Sequence, residues 1–158
     1  MHLERQVLNF LELEVFAAEL YRQHRRHVPA RLRPLMEEFE RVEMQHVRRF
    51  THLYQKISGK RRPRCLVSTA IARFAAMVLA PFGWRTIFRF ECRVEERAVK
   101  DYRSAMAWVK HAEVRKAIKE TLKDEERHAP YVETLKRFCA EEEHHIEEME
   151  RELVKHGV

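Results

Sequence analysis

Four stretches of this chain carry apolar residues at three- and four-residue spacing, and each stripe is interrupted by an acid or an imidazole at a position that should be buried. Val7, Phe10, Ala17 and Tyr21 mark a helix from about residue 3 to 27, interrupted by Glu14. Phe39, Phe50 and Leu53 mark a second, from about 33 to 57, interrupted by Glu43 and His46. Phe88, Ala98, Tyr102 and Met106 mark a third, about 84 to 110, interrupted by Glu95. Ile118, Leu122, Val132 and Leu135 mark a fourth, about 112 to 138, interrupted by Glu125 and His128. The interruptions repeat. Glu14, Ala17 and Tyr21 return 81 residues later as Glu95, Ala98 and Tyr102, and Glu43 with His46 returns 82 residues later as Glu125 with His128. A chain built this way must bring its four stripes together, because no single helix can bury one alone.

Turn chemistry agrees. Three Gly and five Pro in 158 residues are too few for a many-stranded sandwich or barrel, and the fold expected is all-α. Pro29 and Pro34 separate helices one and two, Gly59 and Pro63 end the second, and Pro81-Phe82-Gly83 precedes the third. About 25 residues, including the apolar run from Cys65 to Phe82, separate the second and third helices. Two antiparallel hairpins joined by a long apolar crossover (64–83) make a four-helix bundle over residues 1–139, with Pro130 expected to kink the fourth helix. Residues 140–158 are rich in Glu and His and are expected as a short polar helix or tail.

An E-x-x-H pair is weak alone: a chain with 10 His and 25 acidic residues should hold about one or two by chance, and Glu141/His144 and Glu142/His145 are two spare copies. Register distinguishes the other two, since each belongs to the same half as a helix of pattern E-x6-Y. Residues i and i+3 share a helix face, so each pair points a carboxylate and an imidazole at the bundle axis. Four carboxylates in an apolar core repel one another, and a buried unpaired charge costs several kcal/mol. Two cations remove that cost. Four Glu and two His suit iron, with manganese the alternative, better than a thiolate-seeking metal. The competing reading is solvated glutamates on a misread helix face. Asp124 is placed to accept the second ring N–H of His46, or else is a plain surface charge.

The set of one Glu from each of two helices and an ExxH from each of the other two resembles the ferritin-like di-iron carboxylate proteins. Within that superfamily the chain is most similar to the demethoxyubiquinone hydroxylase family of ubiquinone biosynthesis, over about residues 10–130. The resemblance lies in Glu14-x-x-Ala17-x-x-x-Tyr21, Glu43-x-x-His46-x-x-x-Phe50, Arg62-Pro63, Val94-Glu95-Glu96 with Tyr102, and Asp124-Glu125. Rubrerythrins, the next nearest, usually add a Glu where this chain has Ala98. Two departures stand out: Asp101 replaces the family's His beside the third-helix Tyr, and the Glu/His-rich end stands where the family has an apolar extension. The resemblance implies two iron ions per chain, with Glu14 and Glu95 as terminal ligands, Glu43 and Glu125 as bridges, and His46 and His128 as one imidazole each. Tyr21 and Tyr102 are then candidates to bond the carboxylates or pass electrons, with plain packing as the alternative for each.

The resemblance further implies an O2-activating oxidoreductase acting on a quinone-like ring. A ferritin-like oxidase or peroxidase handling O2, peroxide or iron is the alternative, and a non-catalytic helical interaction module the third. No flavin, haem or nucleotide motif is visible, and the chain names no electron donor. The apolar run Leu66–Phe82 with Trp84, Ile87, Phe88 and Phe90, interleaved with Arg73, Arg85 and Arg89, reads as a peripheral membrane surface that admits an isoprenoid substrate, with Trp84 and Phe88 at its edge. It reads equally as a helix packed on the bundle or between two copies, and a homo-oligomer is expected. Thirty-one Lys and Arg against 25 acids give a net charge of +6, but the signs are interspersed except at 22–33 and 60–64, which argues against nucleic acid as partner. Cys65, Cys92 and Cys139 form no CxxC pair, and the polar start Met1-His2-Leu3-Glu4-Arg5 has no export signal, so a cytoplasmic setting, at the inner face of the membrane, is expected.

Overall fold

Proline and glycine set most of the helix boundaries. The computed structural model describes residues 3–155, and among them every regular element is helical. Helix α1 spans Leu3–His24, α2 Arg33–Ser58, α3 Leu66–Leu79, α4 Trp84–Trp108 and α5 Ala112–Lys155. Single 3-10 turns occupy Ala30–Leu32 and Ala80–Phe82. Pro34 sits in the first turn of α2, where its missing N–H costs nothing. Gly59 ends α2 at φ +67°, its N–H bonded to the Gln55 carbonyl at 2.9 Å, in the left-handed cap that glycine adopts without strain. Helix α1 stops at His24 rather than near 27, because bonding shortens ahead of Pro29: the Arg26 and His27 N–H groups reach back only three residues. The last helix differs most from expectation. It runs through Pro130 and past 139 to Lys155 as one element, so residues 140–155 of the stretch expected as a short helix or tail continue α5. The side chains of Val132, Leu135, Cys139 and the two spare E-x-x-H pairs lie outside the described residues.

Helices α1 and α2 pack antiparallel, as do α4 and α5. The pairing can be read from side chains. Glu4 at the start of α1 accepts from Tyr54 (3.0 Å) near the end of α2, and Arg22 at the far end reaches Glu40 (2.9 Å). Arg103 to Glu126 (2.9 Å), together with Lys136 to Glu96, registers α4 on α5 in the same sense. Helix α3 lies on α1, setting Ala72 and Ala76 against Leu20, with Phe16, Phe90 and Val94 at the border. Small residues on that stripe let the two backbones come close.

The bundle core has two apolar ends. One holds Phe10, Leu11, Phe50, Tyr102 and Ile118, with Phe10 stacked on Phe50 at 5.5 Å. The other holds Tyr21, Met36, Phe39, Ile87 and Phe88. Phe88, expected at a substrate or membrane surface, is 1% exposed and belongs to this core, because its position on α4 faces α1 and α2. Trp84, one turn earlier, is half-buried against it, edge-on at 6.0 Å. Glu14 lies between Leu11 and Tyr21, Glu43 between Phe39 and Phe50, and Glu95 between Phe88 and Tyr102. A polar layer is thus held between two greasy ones.

Candidate metal centre

Six side chains from four helices meet in that layer: Glu14 from α1, Glu43 and His46 from α2, Glu95 from α4, Glu125 and His128 from α5. All are buried, between 0 and 6% exposed. They form two quartets, Glu14–Glu43–His46–Glu125 and Glu43–Glu95–Glu125–His128, each with one ligand atom per residue within 4.8 Å of the others. Glu43 and Glu125 belong to both. His46 Nδ1 lies 3.1 Å from Glu14 Oε2, 3.4 Å from Glu43 Oε2 and 3.4 Å from Glu125 Oε1. In the second quartet His128 Nδ1 is 3.6 Å from Glu95 Oε2.

The protonation of these groups records the strain of packing acids together without a counter-charge. Burial pushes Glu14 up, burial and the Glu14 charge push Glu43 well up, and burial with the Glu43 charge does the same to Glu125. Burial opposes a charge on His46, but hydrogen bonds with Glu125, Glu14 and Glu43 outweigh it and raise its pKa. For Glu95 burial is likewise overcome, by the neighbouring His128 imidazole and Glu125 carboxyl and by the hydroxyl that Tyr21 donates, and its pKa falls. Oxygens of Glu95 and Glu125, and His128 Nδ1, are buried with no hydrogen-bond partner among the described residues. Such atoms are costly as they stand, and a pair of cations would satisfy all of them at once. Hard carboxylate donors with one imidazole per position fit iron or manganese.

Around the quartets the two halves of the repeat differ. Tyr21 donates its hydroxyl to Glu95, across from α1 to α4. Tyr102, its counterpart, makes no hydrogen bond to the quartets among the described residues. Its ring packs with Phe10 (5.5 Å) and Phe50 (6.2 Å) in a cluster of three, and its buried hydroxyl has no hydrogen-bond partner among the described residues. Asp124 Oδ2 lies 3.4 Å from His46 Nε2, the ring nitrogen turned away from the quartet. Arg49 clamps that carboxylate at 3.2 Å while also donating to Thr121 at 2.7 Å. Sequence reading missed Arg49, although it stands one turn after His46 on the face that meets α5.

It also missed a buried pair beside Tyr21 and Glu95. His24 and Glu91 bond each other between α1 and α4, one turn beyond that contact. Burial lowers His24 to about 4, and burial with the Glu95 charge raises Glu91 well above its usual value. Spacing held the signal, three residues after Tyr21 and four before Glu95.

Two clefts reach the layer from outside. One of about 410 Å³ between α4 and α5 has Glu95 and Glu125 in its wall, beside Lys100, Arg103 and Lys136. The other, about 330 Å³ between α2 and α5, reaches His128 and Asp124.

Comparison with curated proteins and with solved structures gave no match. A family profile described as ubiquinone biosynthesis protein COQ7 matches residues 14–132, from the first residue of the quartets to just beyond the last. With a match of that length lying on those six residues, the chain belongs to the COQ7 family of ubiquinone biosynthesis, within the ferritin-like di-iron superfamily.

Proposed function

We propose that the protein is a di-iron hydroxylase that uses O2 to oxygenate a quinone-like ring delivered from a membrane surface. The observation that carries this reading is the pair of interlocking buried quartets sharing Glu43 and Glu125. Two iron ions bound there supply the chemistry of dioxygen activation. The chain's own residues do the rest. Glu43 and Glu125 would span both positions, Glu14 with His46 would complete one, and Glu95 with His128 the other. Asp124, held by Arg49, orients the His46 ring, and Tyr21 fixes Glu95 through one carboxylate oxygen. The apolar ends of the core close the layer along the bundle axis and leave the two lateral clefts as its approaches.

Helix α3 supports the delivery of an insoluble substrate. Leu66, Val67, Ile71, Phe74, Met77 and Val78 are exposed on its outer face, and Phe82 follows at 68% exposure. At 14 residues it is about 21 Å long, and no helix among the described residues is long and apolar enough to cross a membrane. Lying in the interface suits it. Arg73, on the flank of that face, donates to Glu19 of α1 at 2.7 Å.

The α4–α5 cleft favours a second reading, an oxidase or peroxidase without an organic substrate, because its polar wall leads water-soluble reactants to Glu95 and Glu125. Metal analysis of iron-grown protein, followed by reductant-driven turnover of a methoxyquinone against turnover of peroxide, separates the two. Close to two metals per chain are expected, lost in Glu43→Ala with Glu125→Ala. Full metal in that double variant would overturn the site, and peroxide turnover without quinone hydroxylation would transfer the assignment to the second reading.

A further inference from the structure

A pocket of about 230 Å³ lies between α1, α2 and α3, away from the quartets. Arg22 from α1, Arg62 and Arg64 from the 59–65 connection, and Thr69 and Arg73 from α3 line it. Glu19 is the single acid in the wall, and it is already engaged: Arg73 Nε donates to it at 2.7 Å, Gln23 at 2.8 Å and Arg22 at 3.3 Å. Arg62 and Arg64 are exposed and make no ion pair among the described residues. Arg22 is further tied to Glu40 at 2.9 Å, so Arg62 and Arg64 carry the uncompensated positive charge of a pocket large enough for a phosphate group, whose oxygens match the planar donor fork of arginine.

Its place on α3 identifies the source of that phosphate. Ser68, Ala72 and Ala76 form the buried stripe of the helix, and Leu66, Phe74 and Met77 lie on the exposed face. Thr69 and Arg73, one turn apart, fall on the flank between the two. When the outer face of α3 lies in acyl chains, this flank stands at headgroup depth. Basic residues beside an apolar insertion are the usual arrangement for anionic lipid.

We propose that this pocket is a binding site for the phosphate of an anionic lipid headgroup, which Arg62 and Arg64 capture while the outer face of α3 enters the bilayer. The proposal rests on the lipid-facing reading of α3 given above and adds to it a lipid class and the residues that select it.

Sedimentation of the full chain with vesicles tests it, using phosphatidylcholine alone and phosphatidylcholine mixed with phosphatidylglycerol. The parent should prefer the mixed vesicles. Arg62→Glu with Arg64→Glu, both at exposed positions, should lose that preference, by about fivefold or more per arginine, while keeping its binding to neutral vesicles. Arg115→Glu with Lys116→Glu changes charge equally on α5 and should leave the preference intact. Phe74→Asp with Met77→Asp should abolish binding to both vesicles. Equal binding of parent and Arg62/Arg64 variant to mixed vesicles, or equal losses in the α5 variant, would overturn the pocket. A parent that binds both vesicles alike would remove the headgroup site and leave the α3 reading standing, whereas a parent that binds neither would remove both. Inorganic phosphate binding that needs Arg62 and Arg64, without any lipid preference, would assign the pocket to a soluble phosphate instead.

Discussion

The hydroxyl of Tyr21 donates to Glu95, whereas that of Tyr102, whose ring packs beside Phe10 and Phe50, has no hydrogen-bond partner among the described residues. A donor spent on a carboxylate stabilises, and one buried without a partner costs free energy, so the same atom deleted from two equivalent positions should give opposite results. Tyr21→Phe is expected to lower unfolding free energy by about 1–2 kcal/mol. Tyr102→Phe, which keeps the stacked ring, is expected to be neutral or stabilising by up to about 1 kcal/mol. Urea titration of both variants checks the pair. A destabilised Tyr102→Phe would mean that its hydroxyl has a partner in solution.

Helices α2 and α5 are joined at the centre by more than the quartets. Arg49 ties Asp124 and Thr121 together one turn away from His46, and Asp124 faces the far nitrogen of that ring. Removing the clamp should loosen the imidazole without touching a ligand. Arg49→Ala is expected to weaken metal affinity by about 10- to 100-fold while the far-ultraviolet spectrum stays helical. Competition against a chelator measures it, and an unchanged affinity would reduce Arg49 to a surface strut. The far end of α5 should matter less. Every described ligand residue precedes 129, so truncation after Cys139 is expected to leave the metal content of the bundle intact. Loss of metal from a truncated chain that remains helical would move the site towards the spare E-x-x-H pairs.

At the scale of the molecule, four helices are held around one layer of buried carboxylates and imidazoles. Glu14, Glu43, Glu125, Glu91 and His46 all have raised pKa values in the fold. The native state therefore binds protons that the unfolded chain releases, and the stability they contribute is lost as pH rises through the folded values. Glu95 and His24 are shifted down, so their contribution runs the other way, and that of His24 is complete above its unfolded value of 6.5. Metal-free protein should accordingly become less stable as pH rises above about 6.5, and the gap in Tm between metal-loaded and chelated protein should widen. Thermal unfolding at two pH values with and without chelator tests this. A gap that narrows with rising pH would contradict it.

What the sequence determined by itself was periodic. Apolar spacing placed α2 and α4 within a residue or two, and the repeat of Glu14, Glu43–His46, Glu95 and Glu125–His128 named residues that share one buried layer, because a helix face is fixed by residue number. Tertiary structure decided everything that depends on distance between helices. It separated Tyr21 from Tyr102, which periodicity makes equivalent, since only one of them finds a carboxylate across the bundle. It moved Phe88 into the core and tied Arg73 to Glu19, because the side of α4 or α3 that is covered depends on where α1 lies. His24 with Glu91, and Arg22 with Arg62 and Arg64, come together only because the chain folds back on itself. One-dimensional spacing carries the face of a helix, and the partner across the gap is a property of packing.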